Sequence, residues 1–320
     1  MSTVFLRSAV DKRPEDCARV LDDQTLAAGT GALTLLTAQQ RGILTMVFAM
    51  FFLSCMDAMV KSMSSRYDIY FLVWVRYLGQ ALIVLILVLP ELRTTLRTKH
   101  IALQLARSLC VFAGAVFFFI GLSTIELATA TALLQVSPLL IALVAYLTLG
   151  ESLGWKKLGS VMAGLLGALL IVRPGLAAFD PFSIFPLAAA AAFAGYAVIT
   201  RFLSSSESVW TSFFYTALIG AVASCLFVPF FWTTPPLADI PVLLMLAGFG
   251  TIGQYLVIRA LFLAQVSVLA PIGYSSLVFS AAFGMMIFGE FPDMWTILGA
   301  LMVTASGLFV WHLQTSSLRS

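Results

Sequence analysis

Charge is what this 320-residue chain has least of. Asp, Glu, Lys and Arg make up 10% of it, against roughly 25% in an average soluble domain. A soluble globe so poor in polar residues could not cover its own surface. The net charge of +3 is too small to draw an anionic polymer, so no nucleic-acid partner is expected. Cysteine is scarce too. Cys17, Cys55, Cys110 and Cys225 show no CxxC spacing, which excludes a disulfide scaffold and leaves the last three as small buried hydrophobes. There are two histidines, His100 and His312, and neither HExxH nor GxxxxGK occurs. Zinc hydrolysis and ATP-driven transport within the chain are therefore not expected, and no cofactor is implied.

What is abundant is apolar: 61% of residues, with a mean hydropathy of +1.01. From Arg41 onward, apolar runs alternate with short polar breaks. About 20 apolar residues cross a bilayer as a helix, and backbone groups in lipid must be satisfied internally. The predicted spans are 42–63, 69–90, 101–120, 126–148, 156–173, 182–202, 210–231, 240–261, 267–288 and 295–313. The fold class is thus an all-α polytopic membrane protein with ten transmembrane helices and the lipid bilayer as its solvent. Residues 1–41 mix charges of both signs without a secretory core run. They read as a mobile cytoplasmic tail or an overlong gene start. With the N-terminus inside, thirteen Lys and Arg residues fall on the cytoplasmic side and three outside. That bias puts both termini in the cytoplasm.

The chain repeats itself. Leu149-Gly150-Glu151 ends the fourth run and Phe288-Gly289-Glu290 the ninth. Counting back from each glutamate, Ser137 meets Ser276 and Gly114 meets Gly253. The domains are therefore a tail at 1–41, a five-helix unit at 42–176, a second at 177–315 and a short tail at 316–320. Five is odd, so the two units are inverted, a construction found in secondary transporters with a midplane site.

Two five-helix halves, each with Gly-Glu after its fourth helix and a Gly-rich fifth (Gly159, Gly164 and Gly167; Gly299 and Gly307), resemble the EamA-type drug/metabolite transporter superfamily. Met56-Asp57-Ala58-Met59-Val60-Lys61, Trp74-Val75-Arg76-Tyr77 and Phe214-Tyr215-Thr216-Ala217 are similar to the branch holding bacterial S-adenosylmethionine and riboflavin carriers. The resemblance implies a bacterial inner-membrane carrier, not an enzyme, with a small-molecule metabolite as substrate. A flavin and an S-adenosylmethionine-like solute both stay open, as does a homodimer. An intramembrane enzyme or a non-transporting structural subunit remains an alternative.

Intramembrane charges are the first candidates, because an unpaired one costs about 2.5–3.5 kcal/mol at the helix centre. Asp57 and Lys61 share a face at i and i+4, and Arg76 lies at similar depth across the first hairpin. They are expected to form one outward charge cluster or gate. Arg107 is expected to snorkel to the cytoplasmic interface. Glu126 is expected to complement a helix N-terminus, and Glu151 and Glu290 to solvate helix starts. Polar and aromatic groups near mid-depth are the substrate-binding candidates: Gln135, Tyr196, Gln254 and Tyr274, with Trp74 higher up. Gln135 and Tyr274 are repeat equivalents beside Pro138 and Pro271, and proline frees a carbonyl only where a helix faces protein or water. Gly248, Gly250 and Gly253 match GxGxxG, but inside a span they read as close helix packing.

Overall fold

The computed structural model describes residues 38–96, 98, 100–140, 155–172, 180–203, 208–263, 269 and 272–317. The proposed tail thus lies outside the described residues except for 38–41. So do Glu151, Pro271 and Cys17. Among the described residues the chain is helical, with no strand. Helix α1 spans Ala38–Met63, α2 Ile69–Val88, α3 Ile101–Leu122, α4 Leu127–Leu134 and α5 Trp155–Val172. Helix α6 spans Ile184–Leu203, α7 Val209–Phe227, α8 Ile240–Leu263, α9 Ser275–Phe283 and α10 Met294–Ser317.

Helix starts follow local chemistry. Orphan N–H groups in the first turn need acceptors. Asp68 accepts from the Tyr70 N–H at 2.9 Å, Ser208 from Thr211 at 3.1 Å and Asp293 from Thr296 at 2.9 Å. Among the described residues, six helices are long and apolar enough to cross a membrane, and four shorter apolar ones accompany them. Large apolar side chains stay outside: Ile86, Leu226, Leu244, Val278 and Leu301 are all exposed. Water would oppose so much apolar surface, and lipid accommodates it. The chain is a multi-pass membrane protein.

Helix α1 packs along α8, α3 along α6, α5 along α10 and α2 along α7. Lesser contacts join α2 to α8, α3 to α7, α1 to α9, α4 to α6 and α4 to α9. Exchanging α1–α5 for α6–α10 maps each of these pairings either onto another in the set or onto itself. The hairpin 64–68 and the turns before α4, α8 and α10 gather at one end of the bundle, called here the hairpin end.

The glycines set how closely the helices approach. A Cβ on Gly253 would lie 2.8 Å from Leu53 Cγ, and one on Gly250 2.7 Å from Met56 Sδ. Both residues of the GxGxxG string therefore seat α8 against α1, as packing and not as a nucleotide loop. Gly248 meets nothing within 4 Å. Gly253→Val is expected to lower stability by about 1–3 kcal/mol through overpacking, and Gly248→Val to leave it unchanged. Thermal unfolding of the two purified variants in detergent measures the difference.

Candidate functional site

The site begins with the way α9 ends. Gly284–Phe288 widen into a π-turn, and Gly289 then takes φ +66°. Only glycine adopts that left-handed conformation without strain. The turn closes through the Glu290 N–H, which donates to Gly284 O at 3.0 Å. It delivers Glu290 across to α1, where Oε1 lies 2.7 Å from Lys61 Nζ. Glu290 Oε2 accepts the Leu127 N–H at 2.9 Å, capping α4 from the α9–α10 turn. Lys61 also donates to Ile125 O and sits 5.5 Å from the Phe288 ring. These side chains are 12% and 20% exposed. One carboxylate thus joins α1, α4 and the α9–α10 turn. Beside it opens a cavity of about 440 Å³ whose lining includes Lys61, Ser64, Ser65, Ser123 and Phe288.

A second charged contact closes the same end. Asp239, at the start of α8, accepts from Arg66 Nη1 at 2.9 Å and from the Tyr67 hydroxyl at 2.7 Å. Burial, together with that carboxylate, pushes the Tyr67 hydroxyl above its ordinary pKa. Trp74 belongs to an aromatic group with Phe71 and Trp232, and its indole N–H points at Cys225 Sγ, 3.3 Å away. It stands at the hairpin end, as its expected height requires, and away from mid-depth.

The expected single cluster of Asp57, Lys61 and Arg76 divides. Lys61 pairs with Glu290 and not with Asp57, because its long stem reaches past the end of α1 to the turn that Gly289 creates. Asp57 stays below, makes no ion pair among the described residues and feels the Arg76 charge through space. The Arg76 guanidinium carbon lies 5.2 Å from the Tyr77 ring and 5.3 Å from the Phe119 ring. Arg107 does not snorkel. It is 2% exposed and turned into the bundle. Its Nη1 donates to Gln104 Oε1 at 3.1 Å, and its Nη2 to Thr216 Oγ1 at 2.9 Å and Ser212 O at 3.2 Å. Tyr196 on α6 lies beneath it, ring centroid 5.1 Å from the guanidinium carbon. Three neutral acceptors within reach outweigh the distance to the interface. Arg259 donates to the Tyr255 hydroxyl at 3.1 Å.

The helix breaks fall at repeat-equivalent residues. A turn interrupts the helix at Gln135–Val136, ahead of Pro138, and again at Tyr274. Tyr274 stands apart from Tyr196: its ring enters the space above Gly307 of α10, where any Cβ would clash with it. Gln254 is half-buried on α8. Glu126 is the N-cap residue of α4 and accepts from the Thr129 hydroxyl at 3.1 Å. Glu290, Asp239 and Arg107 take partners that spacing along the chain does not foretell. Their signals were a Gly-Glu pair after an apolar run, an acid one residue before a span, and a lone arginine two turns inside one.

A family model described as the EamA-like transporter family matches residues 40–173 and 182–311. The S-adenosylmethionine uptake transporter of Rickettsia bellii is 28% identical over 80% of this chain and 88% of its own. The pseudopaline exporter of Pseudomonas aeruginosa is 28% identical over 83% and 94%. The riboflavin transporter of Brucella anthropi is 27% identical over 75% and 88%. A solved crystal structure, 18% identical, superposes with a TM-score of 0.60 over 88% of this chain and 99% of that one; this likeness is one of fold.

The Lys61–Glu290 pair should behave as a coupled unit. In a double-mutant cycle of Lys61→Met and Glu290→Gln, a coupling energy of about 0.5–3 kcal/mol is expected. Chemical unfolding of the four proteins in mixed micelles reads it, and additive effects would dissolve the pair.

Proposed function

The chain belongs to the EamA-like transporter family, and from that premise we propose that it is a secondary transporter carrying a small organic solute across a bacterial inner membrane by alternating access. In this reading the ten helices α1–α10 are spans, grouped as inverted five-helix units at 42–176 and 177–315, with both termini cytoplasmic. The exchange of helix pairings between α1–α5 and α6–α10 supports the repeat. The interrupted helices at Gln135 and Tyr274 support a midplane site, since broken helices at corresponding places of two halves mark solute sites in transporters.

The observation that carries the mechanism is the Lys61–Glu290 ion pair. It ties the first half to the second at the hairpin end, which the charge bias assigns to the outer face. With Arg66–Asp239 it holds that face shut, so the solute path opens outward when these contacts part. Glu290 then acts as a gate, together with Lys61. Asp57 and Arg76 form the inner lining that the opened gate exposes. The relatives carry, respectively, S-adenosylmethionine, pseudopaline and riboflavin, and of these an S-adenosylmethionine-like solute is the one assigned to this chain.

Removing one partner of a buried pair costs about 3–5 kcal/mol, enough to shift an equilibrium between access states separated by a few. In a background with the native cysteines replaced, a cysteine at Ser123 should react faster with a membrane-impermeant thiol reagent when Glu290→Gln is added. Joining Lys61→Glu to Glu290→Lys should restore the slow rate. Unchanged labelling in Glu290→Gln would remove the gate. Uptake of S-adenosylmethionine into liposomes tests the transport itself.

A further inference from the structure

Arg107 heads the largest fully buried side chains among the described residues, and among those residues it has no anionic partner. Its partners are an amide oxygen, a backbone carbonyl and a hydroxyl. The ion pairs shown among the described residues are Lys61–Glu290 and Arg66–Asp239, both at the hairpin end. The Arg107 Nε–H has no acceptor, and neither does the hydroxyl of Ser108 beside it in the chain. A buried cation without a counter-charge is costly, and an uncharged side chain of similar volume would pack there at less expense. Charges retained inside membrane bundles mark solute or ion paths.

Arg76 repeats the situation on α2. It is 7% exposed, its guanidinium lies against aromatic faces and its Nε has no partner. One turn further, the Gln80 side-chain N–H₂ is buried and unpartnered as well. The Tyr77 hydroxyl donates to Val111 O at 3.4 Å, which sets Tyr77 one turn of α3 from Arg107. Helical side chains lean toward the N-terminus. Since α2 starts at the hairpin end and α3 at the other, Arg76 reaches outward and Arg107 inward. The Tyr77 ring lies against the Arg76 guanidinium and the Tyr196 ring against that of Arg107.

We propose that Arg107 and Arg76 are the inner and outer stations for a carboxylate of the transported solute. The Tyr196 ring is the placeholder that solvates Arg107 when no solute is bound. A carboxylate entering from the midplane takes the free Nε–H and shares Nη2, the side-on geometry that guanidinium offers. Asp57, without an ion-pair partner and near Arg76, complements a cationic group on the same molecule. The class that fits is a zwitterion of amino-acid type, and a neutral flavin is excluded. The inference rests on the transporter reading and narrows its solute.

The test uses the full chain in nanodiscs, wild type and Arg107→Gln, with three probes: S-adenosylmethionine, its decarboxylated analogue and riboflavin. Wild type should bind the decarboxylated analogue at least about tenfold more weakly than S-adenosylmethionine, the range for a lost charged hydrogen bond, and riboflavin no better. Arg107→Gln should lose the preference for the acid while binding the analogue as wild type does. Without any solute it should melt no lower than wild type, since it sheds an unpaired buried charge. Equal wild-type affinity for acid and analogue overturns the proposal and leaves transport standing. So does an Arg107→Gln protein that melts lower and keeps the preference. If that variant does not fold, Arg107→Lys is read instead: lysine lacks the side-on pair of N–H donors, so a full wild-type preference for the acid in this variant overturns the proposal. If no probe binds wild type or enters liposomes, the S-adenosylmethionine reading is what fails. The solute-free melting comparison then decides the arginine site, a lower value for Arg107→Gln overturning it.

Discussion

Glu290 satisfies three separate needs, two with its carboxylate and one with its backbone N–H. It neutralises Lys61, supplies an acceptor for the first N–H of α4, and fixes the turn from α9 into α10. In water each need could be met by solvent. At the edge of a bilayer, solvent is scarce and an unmet polar group costs several kcal/mol. The three therefore converge on the same residue, and loss of its carboxylate would be felt in both α1 and α4. Gly289 makes this convergence possible, because the left-handed residue aims the glutamate back over the bundle instead of along the next helix.

Below that closed end, the helices meet through small residues. The Tyr77 ring fills the space above Gly220, where a Cβ would lie 2.1 Å from Cδ1. Facing glycines, Gly167 and Gly299, bring α5 and α10 together. Lipid gives no hydrophobic drive for helices to associate, so close packing and interhelical hydrogen bonds hold the bundle. The hydroxyl oxygens of Thr131 on α4 and Ser280 on α9, 2.9 Å apart, are one such contact between the halves. Neither is charged, so a rocking motion could exchange these contacts at small cost.

Deeper still, several buried donors lack acceptors. Arg76, Gln80 and Arg107 each keep an N–H without a partner. Folding alone would select against that imbalance. In the proposed transport cycle, a solute bearing acceptors would correct it. The aromatic faces of Tyr77, Phe119 and Tyr196 hold the cations in the interval, since a ring can stabilise a guanidinium without a formal charge.

The helical, membrane-embedded class was legible from composition and run length, because a bilayer imposes a minimum apolar length that few other environments demand. Residues equivalent by counting back from Gly-Glu, Gln135 and Tyr274, are where both helices break. The packing role of Gly250 and Gly253 followed from their place inside an apolar run. Partnership was not legible. Lys61 lies one helical turn from Asp57 in the chain, yet bonds to Glu290, more than two hundred residues away. Arg107 looked near enough to the interface to reach it, yet turns inward to Ser212 and Thr216. Spacing along a helix reports which residues share a face. Which charge meets which depends on how distant helices cross, and only the tertiary structure decided that.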